Sequence, residues 1–187
     1  KHYDLQAVKW SIDHRAQKGA LYAMGKLHEL LPSGKILEIG SGAGKDAAAL
    51  ISMGYDYVGT DASQGLLKVA KKRNPGAVFV RAGVHELDFP DASFDGFWTA
   101  ATLLHIPKDQ IDAALGRVKQ VVRPGGVGFI SLKQGEGEKT DPGTGRWFAY
   151  YQQGEFDEVL ERNGFSVIDS RQRQGEKDTW LVFYVRC

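Results

Sequence analysis

The 187 residues carry 24 Lys and Arg against 23 Asp and Glu, a net charge of +1, so no strong basic field exists to draw in a nucleic acid. An apolar fraction of 42% and this length suit one globular α/β domain of residues 1–187, a helical cap over 1–33 on a core over 34–187. The single cysteine, Cys187, excludes an internal disulfide framework and a cysteine-based zinc site; with no membrane-length apolar run and no leader-like segment, the expected location is cytoplasmic.

In chain order, Ile12, Ala16, Ala20, Leu21, Met24, Leu27, Leu30 and Leu31 recur at helical spacing, which predicts an amphipathic helix over 11–31, ended by Pro32 and Gly34. A short apolar run, 36–39, enters a glycine cluster, then a helix is expected over 46–53 and a strand over 55–60. Further elements follow: helix 63–73, strand 77–81, strand 94–99, helix 108–122 and strand 126–132. Alternation of this kind predicts a doubly wound, mainly parallel sheet with helices on both faces. The glycine-rich stretch 134–146, carrying Pro142, is the candidate for a mobile lid. A helix over 153–163 and strands 165–171 and 179–186 complete a seven-stranded, Rossmann-like sheet with an antiparallel C-terminal hairpin. Lys71, Lys72 and Arg73 precede Asn74-Pro75-Gly76, and as cations at a helix end they complement its dipole; no aromatic residue interrupts them to stack on a base.

The segment Lys35-Ile-Leu-Glu-Ile-Gly-Ser-Gly-Ala-Gly-Lys-Asp46 runs a buried strand into Gly40, Gly42 and Gly44 and then into a helix. A bend of bare backbone admits a ligand closely, and ligands of open α/β sheets sit at the carboxyl ends of such strands. A phosphate-binding loop does not fit, because Ile39 occupies its first glycine slot and Asp46 replaces the metal-binding hydroxyl. A dinucleotide loop does not fit well either, since its third glycine slot holds Lys45. Asp61 closes the second strand, where its two oxygens suit ribose hydroxyls. Asp61 alone does not separate the methyl donor from NAD, because dinucleotide enzymes use an acid at similar spacing.

Together Leu37-Glu-Ile-Gly-Ser-Gly-Ala-Gly44, Gly59-Thr-Asp61, the run Leu87 to Asp95, Trp98-Thr-Ala-Ala-Thr-Leu-Leu-His105 and Val122-Arg-Pro-Gly-Gly126 resemble the class I S-adenosylmethionine-dependent methyltransferase family, in particular its small bacterial members that act on small molecules. The resemblance covers nearly the whole chain. It implies S-adenosylmethionine as cofactor and S-adenosylhomocysteine as product. Glu38 would organise the turn, Gly40, Ser41 and Gly42 would approach the amino acid portion, Asp61 would hold ribose, and Ala62 would line the adenine pocket. Thr99 and Ala100 would lie beside the methionine portion. Gly83 departs from the family, which often places an acidic residue there, so Gly83 and Val84 backbone with His85 or Glu86 would have to meet adenine.

Methyl transfer chiefly demands alignment, and a base helps remove the acceptor's proton. His105, just past the fourth strand, is the catalytic candidate; the alternative is a histidine satisfied inside the following turn. His2, His14 and His28 show no metal-ligand spacing. Arg146, Phe148, Tyr150 and Tyr151 would either wall the acceptor with aromatic rings and one cation or anchor the loop to the core. Tyr3 and Arg15 would cap the cleft, as the family's first helices do, and Lys133 would point into it. The favoured reaction is methylation of oxygen or nitrogen on a small molecule. The alternatives are a protein or tRNA acceptor, a non-catalytic nucleoside-binding regulator, or an NAD-dependent dehydrogenase. The acceptor's identity and the oligomeric state are not written in the sequence.

Overall fold

The computed structural model describes residues 18–187. Tyr3, Arg15 and most of the predicted first helix lie outside them. Helix α1 (Lys18–Leu30) turns Ala23, Met24 and Leu27 inward at helical spacing, and all three are buried.

Strands β1 (Lys35–Ile39), β2 (Asp56–Asp61), β3 (Val78–Arg81), β4 (Phe94–Ala100) and β5 (Val122–Lys133) run parallel; between them lie α2 (Ala47–Ser52), α3 (Gln64–Arg73) and α4 (Ile111–Val121). The small strands β6 (Glu138–Thr140) and β7 (Trp147–Ala149), helix α5 (Gln153–Arg162), and strands β8 (Ser166–Gln174) and β9 (Thr179–Arg186) follow. The main sheet has seven strands in the order β3-β2-β1-β4-β5-β9-β8, with β9 antiparallel to both neighbours.

Why both faces are covered is written in neighbouring residues. Ile36, Trp98 and Tyr184 join the cluster under α1, α2 and α3, while Leu37, Phe97 and Phe183 join the cluster that packs α4 and α5. Successive side chains of a strand point to opposite faces, so a strand apolar at consecutive positions must be sandwiched. The chain leaves β1 toward β2 and β3 and then crosses back to β4 on the other side. Such a reversal opens a crevice beyond the carboxyl ends of β1 and β4.

Two segments refine the sequence reading. Residues 123–126 form a bulge within β5, since Phe94 pairs with Val122 but Gly96 pairs with Val127. Gly125 there takes φ +77° and donates its N–H to the Cys187 carbonyl at 2.8 Å. The stretch 134–146 is not an irregular loop: β6 pairs with β7. Its tip is closed by Asp141, whose carboxylate accepts from the Thr144 N–H at 2.7 Å and hydroxyl at 2.8 Å.

Candidate active site

A cavity of about 600 Å³ opens beyond the ends of β1 and β4. One end of it is made from the bend after β1. Gly40 takes φ +74° and Gly42 φ +56°, a region open to glycine at little cost. A Cβ at Gly40 would stand 2.2 Å from the Thr102 hydroxyl oxygen, whereas one at Gly42 would meet nothing within 4 Å. The first glycine therefore permits β1 and the β4 end to pack, and the second leaves space for something else. The Thr102 hydroxyl donates to the Ile39 carbonyl at 3.1 Å, tying the two strand ends together.

Asp61 ends β2 against this bend. Its carboxylate accepts the Gly42 N–H at 2.9 Å and the Ser63 N–H at 2.8 Å. Ser63 in turn caps α3, its hydroxyl accepting from the Leu66 N–H at 3.1 Å. Glu38 and Asp46 stand behind the bend, 3% and 1% exposed. Tyr57 donates its hydroxyl to Glu38. Burial, aided by the nearby Asp46 carboxylate, pushes the Glu38 carboxyl well above the usual carboxylate range. Asp46 Oδ2 accepts the Trp98 indole N–H at 3.1 Å, while its buried Oδ1 has no hydrogen-bond partner. An orphaned carboxylate oxygen at the wall of a cavity is costly on its own and suits a cationic ligand group.

The other end of the cavity comes from distant segments. Ala101, just after β4, has φ +57°, a conformation disfavoured for a residue with Cβ and characteristic of functional sites. The following turn, Leu103–His105, presents His105. The His105 Nδ1–H donates to the Trp147 carbonyl at 2.7 Å, because a carbonyl can only accept; in the neutral ring the lone pair then resides on Nε2. Burial lowers the His105 pKa below its ordinary 6.5; the Trp147 bond opposes this, and the Arg146 and Lys133 charges add to it. Lys133, Arg146, Phe148, Asp178 and Trp180 complete this end.

Of the residues singled out in the sequence, Glu38, Gly40, Ser41, Gly42, Asp61 and Ala62 line the cavity, as do Gly83, Val84 and Ala100. At the far end His105, Lys133, Arg146 and Phe148 do too. Four others are not among its lining residues. Thr99 is fully buried, since strand alternation turns it to the face opposite Ala100. His85 is exposed on the outer side of its turn. Tyr151 is buried and packs edge-on against Phe156, and Tyr150 stacks behind Phe148. For these two tyrosines the anchoring alternative describes the packing. At Gly83, an added Cβ would meet only Glu86 and Ala62 at 3.7 Å or more, and Glu86 accepts the Gly83 N–H at 3.3 Å. Glu86 thus stands beside the position where the family carries its acid.

Sequence reasoning passed over Asp46, Thr102, Asp178 and Trp180, all on the cavity wall. Asp46 had a signal, an acid directly after the glycine bend. Trp180 had none, because it arrives through the register that sets it opposite Lys133 on the antiparallel strand. Arg73 also differs from its helix-end reading: it lines the cavity and donates to the Ala43 carbonyl at 3.3 Å.

A parallel sheet with a reversal point, a bare-backbone bend and an acid closing the next strand defines a Rossmann-like nucleoside-binding protein. The family profile described as a methyltransferase domain matches residues 36–126. Demethylmenaquinone methyltransferase of Beutenbergia cavernae is 30% identical over 128 residues, 67% of this chain and 51% of that protein; the chain spans about half the length of this curated relative. Among solved structures, the 1,6-didemethyltoxoflavin-N1-methyltransferase of Burkholderia thailandensis, with bound 1,6-didemethyltoxoflavin and S-adenosylhomocysteine, superposes with a TM-score of 0.78 at 25% identity, over 99% of this chain and 87% of that one. A S-adenosylmethionine-dependent methyltransferase of Methanosarcina mazei gives 0.77 at 23% identity, over 86% and 96%. The chain belongs to the class I S-adenosylmethionine-dependent methyltransferase family.

Proposed function

We propose that this chain binds S-adenosylmethionine along the bend after β1 and transfers its methyl group to an oxygen or nitrogen of a small molecule held at the His105 end. The observation that carries the reading is the continuity of one cavity from Asp61 to His105. Bound there, the cofactor supplies an electrophilic methyl on a sulfonium, and transfer needs in-line alignment more than acid or base strength.

The chain's own groups are placed to provide that alignment. A carboxylate offers about four acceptor sites, enough for the Gly42 and Ser63 N–H groups on Asp61 and for ribose hydroxyls as well. Gly40 and Gly42 leave room for the amino acid portion, and the Asp46 Oδ1 meets its ammonium. Gly83 and Val84 backbone with the Glu86 carboxylate take the adenine edge. His105, held by the Trp147 carbonyl, accepts the acceptor's proton on Nε2 as it is lost.

Titration calorimetry with S-adenosylhomocysteine tests the assignment. The wild-type protein binds it, and Asp61→Ala weakens binding by roughly 1.5–3 kcal/mol through lost charged hydrogen bonds. Equal affinity in the two proteins removes the ribose assignment.

A further inference from the structure

Phe148 is the hub of the His105 end of the cavity. The Lys133 ammonium lies 4.9 Å and the Arg146 guanidinium 5.0 Å from its ring centroid, and the His105 ring centroid lies 4.8 Å away. Three nitrogen-bearing side chains from three separate segments thus surround one buried aromatic ring. Asp178 is the one acid lining this end, 2.8 Å from Lys133. Asp141, beyond the rim, spends its carboxylate on Thr144. Two cations against one carboxylate leave this end positive, while Glu38, Asp46 and Asp61 make the opposite end acidic. The lowered pKa of His105 reports the same field, because both cations disfavour its protonated form.

A charge balance of this kind selects ligands. In a half-enclosed cavity a second cation is repelled, and an anion gains charge-assisted hydrogen bonds that a neutral isostere lacks. Trp180, opposite Lys133 in the register of β5 and β9, adds an indole to the same wall and so an apolar plane for a ring. Taking the methyl-transfer reading as its basis, we infer that the acceptor is a small aromatic acid, its carboxylate held by Lys133 and Arg146 and its ring set along Trp180. Its nucleophilic hydroxyl or amine then faces His105.

The probes are salicylate, its neutral isostere salicylamide and the cation 2-hydroxybenzylamine, titrated into the protein saturated with S-adenosylhomocysteine. Salicylate should bind about ten-fold more tightly than salicylamide, with the amine weakest. Lys133→Met and Arg146→Met should each bring that preference toward one, Lys133→Arg should keep it, and affinity for S-adenosylhomocysteine should stay within about two-fold in all three. Salicylamide or the amine binding as tightly as salicylate overturns the inference. So does the absence of salicylate binding at millimolar concentration, or a preference that survives both methionine variants. Loss of S-adenosylhomocysteine binding by the wild-type protein would remove the cofactor reading and this inference together, whereas intact cofactor binding without an anion preference removes this inference alone.

Discussion

The two ends of the cavity are built from different materials. Around Asp61 the surface is mostly backbone: a bend at Gly40 and Gly42, two N–H groups clamped on a carboxylate, and buried acids behind. Its parts come from β1 and β2, which pair in register from Lys35 with Asp56 to Ile39 with Thr60. Around Phe148 the surface is side chains, brought from the turn after β4, the end of β5, β7 and the start of β9. Backbone geometry cannot be varied without moving the fold, whereas side chains can be exchanged singly. A family holding one cofactor and many acceptors would be expected to divide its site this way.

Substitutions at each end test that division, and the largest effect is expected where backbone is involved. Gly40→Ala places a Cβ against Thr102 in a left-handed conformation, so we expect a stability loss of about 2–3 kcal/mol. Binding of S-adenosylhomocysteine should fall by roughly 100-fold or more, with both read from thermal unfolding and calorimetry. A fully stable Gly40→Ala protein with wild-type affinity would show that the bend is not a rigid element.

At the other end His105→Ala should slow turnover by on the order of 100-fold and leave cofactor affinity within about two-fold. The working form is the neutral imidazole, and burial lowers its pKa from 6.5. The sign follows: protonation at low pH removes the base, so kcat/KM rises with pH through an inflection below 6.5 and is level above it. The variant should lack that inflection. A wild-type profile falling over the same range would show that the histidine acts as its cation or not at all.

The smallest effect separates charge from shape within the backbone-built end. Asp46→Asn preserves an acceptor for the Trp98 N–H but removes the charge behind the orphaned oxygen. Affinity for S-adenosylhomocysteine should drop about five-fold, near 1 kcal/mol, while adenosine, which lacks the ammonium, binds unchanged. Equal losses for both ligands would assign Asp46 a structural role only.

The sequence showed the backbone-built end almost entire because its parts are local. A strand entering three glycines and an acid closing the next strand leave a contiguous trace, and the positions of β1, α2, β2 and α3 followed from periodicity and turn residues. Even so, one register step separated Thr99 from Ala100, and the sequence did not say which of them faced the cavity. Tyr150 and Tyr151 were indistinguishable from Phe148 for the same reason, since three aromatics within four residues do not reveal which ring the chain turns inward.

By itself the sequence determined the layered α/β fold, the nucleoside end of the site and the candidate base, all set by short-range pattern and the requirement that a parallel sheet be apolar on both faces. Tertiary structure alone decided that His105 is oriented by a carbonyl from 42 residues away. It alone also set Lys133 against Asp178 and Trp180 across β5 and β9. Such contacts depend on how distant segments meet when the core closes, and that meeting minimises exposed apolar area over the whole chain rather than satisfying any local rule.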